Sequence, residues 1–230
     1  MTKEETENAD AFWFFGYGSL IWSPPPYYDK SIPCFIRGYV RRFWMKSEDH
    51  RGTPEKPGRV LTLIPKDEWK QFSDWAHTPD EETCWGMAYR IPAVHAKYVR
   101  EYLDEREING YTPHFMPVYT HITNEKPTVD QCLVYVGTSR SPQFCPSESV
   151  DKLISVMLSS RGKSGPNIDY LLKLAESLTH LSPEMKDTHV ITLYNRACQI
   201  LKCQEQKEQL DSENRAEIDK PLEQQSVEQS

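Results

Sequence analysis

The stretch FWFFGYGSLIW, residues 12–22, sets an aromatic run against two glycines and a serine. Phe12, Trp13, Phe14 and Phe15 favour a buried strand, because bulky aromatic side chains pack well on a pleated surface. Gly16 and Gly18 then allow the backbone to turn and to approach something closely. Successive N–H groups in such a turn form a concavity suited to an anion, and Ser19 adds a hydroxyl donor. Two readings stand at this point: a strand delivering an anion-binding loop, or a glycine-containing connection with no ligand.

Working outward, SPPPYY forms a loop and CFIRGYVRRFWM, residues 34–45, reads as a strand. RVLTLIP (59–65), CWGMAYRIP (84–92), PVYTHI (117–122) and CLVYVGT (132–138) read as further strands, and the acidic residues 66–82 as a surface insertion. Apolar spacing places helices at 93–108, 148–161, 166–181 and 184–203. This is a mixed α+β order in one domain, residues 11–203. Residues 204–230, rich in Gln and Glu and without aromatics, cannot support a core and are expected to be a disordered acidic tail, helical at most in its first turns.

A chain of 230 residues with 38% hydrophobic content suits one sizeable domain. Its formal charge of −7 sits at the ends, with four acids and one Lys in residues 1–10 and eight acids and three bases in residues 204–230, leaving a body of about +1. A nearly neutral body argues against a nucleic-acid surface. MTKEETENAD lacks the regions of a signal peptide, and no apolar run is long enough for a bilayer, so a cytoplasmic protein with no membrane partner is expected. Cys34, Cys84, Cys132, Cys145, Cys198 and Cys203 are scattered without a CxxC, and no HExxH occurs, so neither a metal nor another cofactor is expected.

In VHAKYVREYLDEREINGY, Val99 and Leu103 recur at a spacing of four beside a second apolar row through Val94, Tyr98 and Tyr102. The first row continues to Glu107, where an apolar residue would be expected. Lys97, Glu101 and Glu105, beside Arg100 and Asp104, are expected to face water. A buried carboxylate has a raised pKa suited to proton transfer, which makes Glu107 a general acid/base candidate. The alternative is a frayed last turn in which Glu107 pairs with Arg106 or another Arg at the surface.

The ordered set FGYGSLIW (15–22), RRFWMKSEDHRGTPEKPGRVLTL (41–63), WGMAYRIP (85–92), YLDEREINGY (102–111) and VYVGT (134–138) resembles the ChaC family of glutathione-specific γ-glutamylcyclotransferases. The resemblance implies a γ-glutamylcyclotransferase-like mixed β-barrel with surrounding helices. It implies that the loop Gly16, Tyr17, Gly18, Ser19 and Leu20, extending to Ile21, holds the γ-glutamyl group, and that Glu107 is the catalytic acid/base. The family's glycine-rich segment reads GKSGPNIDYL here, with Lys163, Pro166 and Asp169 departing from the pattern and Tyr170 retained near the site.

The reaction implied cyclises the γ-glutamyl group of glutathione, the small-molecule partner, to 5-oxoproline and releases Cys-Gly. Ser47, Asp49, Arg51 and Arg59 are expected at the mouth, facing the peptide end, unless Asp49 and Arg51 only hold their loop together. His50 beside Ser47 and Asp49 is a poor hydrolase triad, since triad partners meet from separated elements. Activity on other γ-glutamyl amino acids or amines, and a non-catalytic binder of γ-glutamyl compounds, are the alternatives.

Overall fold

The computed structural model describes residues 11–76, 83–106, 110–181 and 187–218, with the backbone alone for 210–218. The aromatic run forms β1 (Phe12–Gly16), the middle strand of a five-stranded sheet ordered β2 (Lys30–Arg37), β5 (Thr83–Ile91), β1, β7 (Val129–Gly137), β6 (Tyr111–Val118). Strand β1 runs antiparallel to β5 and parallel to β7. Its side chains alternate between two cores: Phe12 and Phe14 pack with Ala96, Val99 and Leu103, and Phe15 packs with the C-terminal helices. A strand covered on both faces needs no polar alternation, which is why its sequence is aromatic throughout.

Both edge strands contain a proline, Pro33 in β2 and Pro113 in β6, where a missing ladder donor is tolerated. The edges approach through one antiparallel bridge, with Phe35 and Tyr119 exchanging N–H···O bonds of 2.8 and 2.9 Å. Strands β3 (Tyr39–Ser47) and β4 (Gly58–Pro65) form a separate two-stranded ribbon, and among the described residues the ladders do not join into a closed barrel. The architecture is mixed α+β.

The segment 34–45, expected as one strand, is divided between β2 and β3 at Gly38, whose φ of +79° favours glycine. The expected strand at 117–122 lies earlier, as β6. Residues 66–76 are more than a surface insertion. Lys66–Trp69 is a helical turn, α1, and Trp69 is buried, while Asp74 meets the buried Arg42 at 2.6 Å. Residues 77–82 lie outside the described residues.

Helix α2 (Ala93–Arg106) buries Ala96, Val99 and Leu103, but of the second apolar row only Tyr102 is partly buried, Val94 being 82% and Tyr98 55% exposed. Helices α3 (Val150–Ser159), α4 (Asn167–Thr179) and α5 (Thr188–Ile218) contribute Leu153, Met157, Leu171, Leu174 and Leu193 to the core that receives Phe15. Ser149 caps α3, accepting from the Lys152 amide at 3.3 Å. Helix α5 runs past Cys203 to Ile218, further than the first turns expected, and residues 202–209 are exposed as their polar composition requires. No described helix is long and apolar enough to cross a membrane.

Candidate active site

Where the chain leaves β1, Ser19–Ile21 forms a single 3₁₀ turn. Its position is set from several sides. The Tyr17 hydroxyl donates to the Tyr135 carbonyl at 2.8 Å, the Tyr89 hydroxyl donates to the Leu20 carbonyl at 2.8 Å, and the Ser19 amide donates to the Tyr170 hydroxyl at 3.2 Å. Tyr170 comes from the first turns of α4 and is wedged edge-on between Trp22 and Phe43, at ring separations of 5.2 and 5.8 Å.

These contacts change the reason for the second glycine. A Cβ at Gly18 would sit 2.5 Å from the Tyr170 hydroxyl oxygen, so the residue is small because Tyr170 reaches over it. Among the successive N–H groups read as anion donors, that of Ser19 is accordingly already engaged by the protein.

A cleft of about 770 Å³ opens over this turn. Of the residues singled out from the sequence, Gly16, Tyr17, Gly18, Ser19, Leu20, Ser47, Asp49, Arg51 and Tyr170 line it. Ile21 is not in the wall and packs toward the core. Arg59 is not in the wall either. Its guanidinium is gripped by Glu148, at 2.8 Å for Nη2, and its amide and carbonyl are both bonded by the buried Asn167 side chain at 2.6 and 2.8 Å. Arg59 is therefore a brace between β4 and the start of α4. Glu107 lies outside the described residues.

The 47–51 segment both lines the cleft and holds its loop. The Ser47 hydroxyl donates to Asp49 at 3.2 Å and accepts the Arg51 amide at 3.1 Å. The amides of Lys163 and Ser164 donate to the carbonyls of Asp49 and His50 at 2.8 and 2.9 Å. These bonds dock the segment on the small hairpin of β8 (Arg161–Gly162) and β9 (Gly165–Pro166). The departures in GKSGPNIDYL are thus accommodated: Lys163 contributes its backbone and Pro166 a carbonyl that accepts Arg51 Nη1 at 3.0 Å. The Arg51 guanidinium also lies 5.4 Å from the Tyr170 ring centre. Burial lowers its pKa from the usual value, opposed by Tyr170 and Asp169 and reinforced by the nearby Arg106 cation.

No triad forms around His50. Its Nδ1 meets the Ser164 hydroxyl at 2.8 Å, and its Nε2 stands 3.8 Å from Asp49, while Ser47 is occupied by Asp49 and Arg51. A cysteine nucleophile is equally absent from the cleft lining, and burial pushes the Cys34 thiol up to about 12 and that of Cys145 to about 11.

Sequence reasoning missed the role of the last turn of α2. Arg106 donates through Nη2 to the Ser19 hydroxyl at 2.8 Å and through Nη1 to the Tyr102 hydroxyl at 3.0 Å, tying the helix end to the glycine turn. The signal was present, since the row Ala96, Val99, Leu103 continues to residue 106 as well as to 107. Glu105 also lines the cleft rather than turning away from it, and the Asp104 carboxylate accepts from the Tyr135 hydroxyl. Lys46, Arg51 and Arg106 thus share one cleft with Glu48, Asp49 and Glu105, an arrangement suited to a small ligand carrying both charges.

The sequence model of the family described as ChaC-like protein matches residues 12–199. A glutathione-specific γ-glutamylcyclotransferase of Schizosaccharomyces pombe is 64% identical over 80% of this chain and 90% of its own length. One of Saccharomyces cerevisiae is 39% identical over 81% of this chain and 93% of its own. A solved structure of the yeast γ-glutamylcyclotransferase specific to glutathione superposes with a TM-score of 0.74 at 36% identity, covering 83% of this chain and 96% of the other.

Proposed function

This chain belongs to the ChaC family, and from that premise we propose that it cleaves glutathione by intramolecular cyclisation, giving 5-oxoproline and Cys-Gly. The observation that carries the reading is the bond from Arg106 to Ser19, which brings the residue directly before Glu107 onto the GYGSL turn within one cleft. At about 770 Å³ that cleft is in the range that encloses a small ligand.

Glutathione contains its own nucleophile. The α-amino nitrogen of its glutamate attacks the γ-carbonyl carbon, the new C–N bond closes a five-membered lactam, and the amide bond to cysteine breaks. The ammonium nitrogen gives up two protons in becoming the lactam N–H, and the departing nitrogen gains two to leave as the ammonium of Cys-Gly, so no water is consumed. Glu107 takes each proton and returns it to the departing nitrogen. The Gly18 and Leu20 amides meet the negative charge of the glutamyl end, since the Ser19 amide is committed to Tyr170. Arg51 and Arg106 draw in the carboxylates, and the closed-up pose supplies most of the acceleration by holding the amine against the carbonyl.

The Phe35–Tyr119 bridge supports a barrel-like closure of the sheet around this site. None of the six cysteines, all among the described residues, is in a disulfide, which fits a reducing, cytoplasmic setting. Residues 11–203 form the catalytic body, with 204–230 outside it. The reading is tested by comparing glutathione with γ-glutamyl-alanine and a γ-glutamyl amine, using the full chain and one ending at Cys203. Glutathione should be turned over at least about tenfold faster than either, equally by both chains, the scale of discrimination that a few pocket contacts provide. Equal rates on all three compounds would contradict glutathione specificity, and loss of activity on shortening would assign the tail to the catalytic body.

A further inference from the structure

We propose that Arg41, a buried residue on β3 that does not touch the cleft, is a positioning residue that locks the Tyr17–Gly18 peptide so that the Gly18 N–H faces the substrate. Arg41 is 2% exposed. Its Nη1 donates to the Tyr17 carbonyl at 2.8 Å and to the Trp85 carbonyl at 2.9 Å, and its Nε donates to Asp187 at 2.8 Å. The carbonyl oxygen and the following N–H of a trans peptide point to opposite sides. With the Tyr17 oxygen held inward by Arg41, the Gly18 N–H is directed outward, and Gly18 lines the cleft.

A lock is needed at this bond because of its residues. The peptide before a glycine rotates with little steric resistance, and Gly18 has no side chain because Tyr170 occupies that space. The constraint required by Tyr170 therefore leaves the adjacent peptide free to flip unless its oxygen is anchored. Asp187 completes the device. It accepts Arg41 through Oδ2 and the Val190 amide through Oδ1 at 2.9 Å, so the first turn of α5 fixes the angle of the guanidinium. Electrostatic stabilisation requires donors aimed before the charge develops, which is what a fixed peptide supplies.

This role rests on the proposed cyclisation for its functional consequence, but the lock itself is measurable without it. Arg42, the next residue, is an equally buried arginine with its own buried acid, Asp74, and donates to the carbonyls of Arg41 and Ala76 without reaching the turn. Arg42→Lys is thus the matched control for loss of a buried arginine. Tyr-Gly occurs once in the sequence, at 17–18, so carbonyl-¹³C tyrosine with ¹⁵N glycine isolates the Gly18 amide as a single coupled resonance.

Arg41→Lys keeps the charge but loses the fork. It should displace or broaden the Gly18 resonance, abolish its response to added 5-oxoproline, and lower kcat/KM at least about tenfold, with more change in kcat than in KM. Arg42→Lys should leave the resonance and its response in place and keep turnover per folded molecule within about twofold. Asp187→Asn, which retains the shape but weakens the anchor, should shift the resonance in the same direction, and it replaces Arg41→Lys if that variant does not fold. An unshifted Gly18 amide in both Arg41→Lys and Asp187→Asn overturns the lock, as does an equal effect of Arg42→Lys. If the wild type yields no 5-oxoproline while the Gly18 resonance still distinguishes positions 41 and 42, the cyclisation fails and the lock stands.

Discussion

At the residue scale, the site depends on two close approaches, Tyr170 over Gly18 and Arg106 onto Ser19. The first makes a double-mutant prediction. Gly18→Ala inserts a methyl group 2.5 Å from the Tyr170 oxygen and should lower both thermal stability and turnover. In a Tyr170→Phe background that oxygen is gone, and the next ring atom stands at 3.8 Å, an ordinary contact. The stability cost of Gly18→Ala should therefore shrink by about 1 kcal/mol or more in that background, the scale of coupling between touching residues. Additive melting-curve losses would contradict the contact. The second approach bears on the acid/base. Glu107→Gln should lose about a hundred- to ten-thousand-fold in turnover, the usual contribution of a general acid/base, while still binding glutathione. Glu105 lines the cleft and is no neutral comparison, whereas Glu101, an exposed residue of the same helix, is: Glu101→Gln should stay near wild type. More than about a tenth of wild-type turnover in Glu107→Gln would remove Glu107 from the mechanism.

At the scale of elements, the first turn of α5 is tied to β3 by a histidine that burial keeps neutral. The Nε2 of His189 accepts the Phe43 amide at 3.1 Å, and its ring stacks between Phe43 and Trp75 at 6.0 and 4.8 Å. Desolvation, then the Arg42 and Arg41 charges, hold its pKa well below the usual 6.5. With the folded pKa depressed, the stability that neutral His189 allows is present in full above pH 6.5. Below that the unfolded chain binds a proton that the fold refuses, and stability falls by about 1.4 kcal/mol per pH unit until the folded pKa is reached. Urea unfolding at pH 7.5, 6.5 and 5.5 should show this slope in the wild type and a slope smaller by about that amount in His189→Asn. Parallel pH dependences would mean that His189 is not the titrating group.

At the scale of the whole molecule, the mixed α+β order and the glycine turn that lines the cleft were legible in the sequence, because aromatic runs, glycine turns and helix periodicity are local signals. The double covering of β1 was implied by an aromatic run with no polar alternation. What local signals do not carry is which side chain another element takes. Arg59 was read as a mouth residue, and no local signal shows that Glu148, before α3, and Asn167, at the start of α4, grip it. Residues 66–82 looked like an insertion because the partner of Asp74 is Arg42, distant in the chain. Arg106 was passed over because periodicity gives a helix face only to within one residue at a last turn, and the Ser19 hydroxyl that selects it lies 87 positions away.

In the proposed reaction this architecture folds glutathione onto itself and lets its own amine displace Cys-Gly. The most direct measurement is product analysis by mass spectrometry after incubating the purified full chain with reduced glutathione in water enriched in ¹⁸O. The expected products are 5-oxoproline and Cys-Gly in equal amounts, with no heavy oxygen in either at the moment of formation. Free glutamate carrying ¹⁸O would contradict it, since that product requires attack by water on the γ-carbonyl rather than by the substrate's amine.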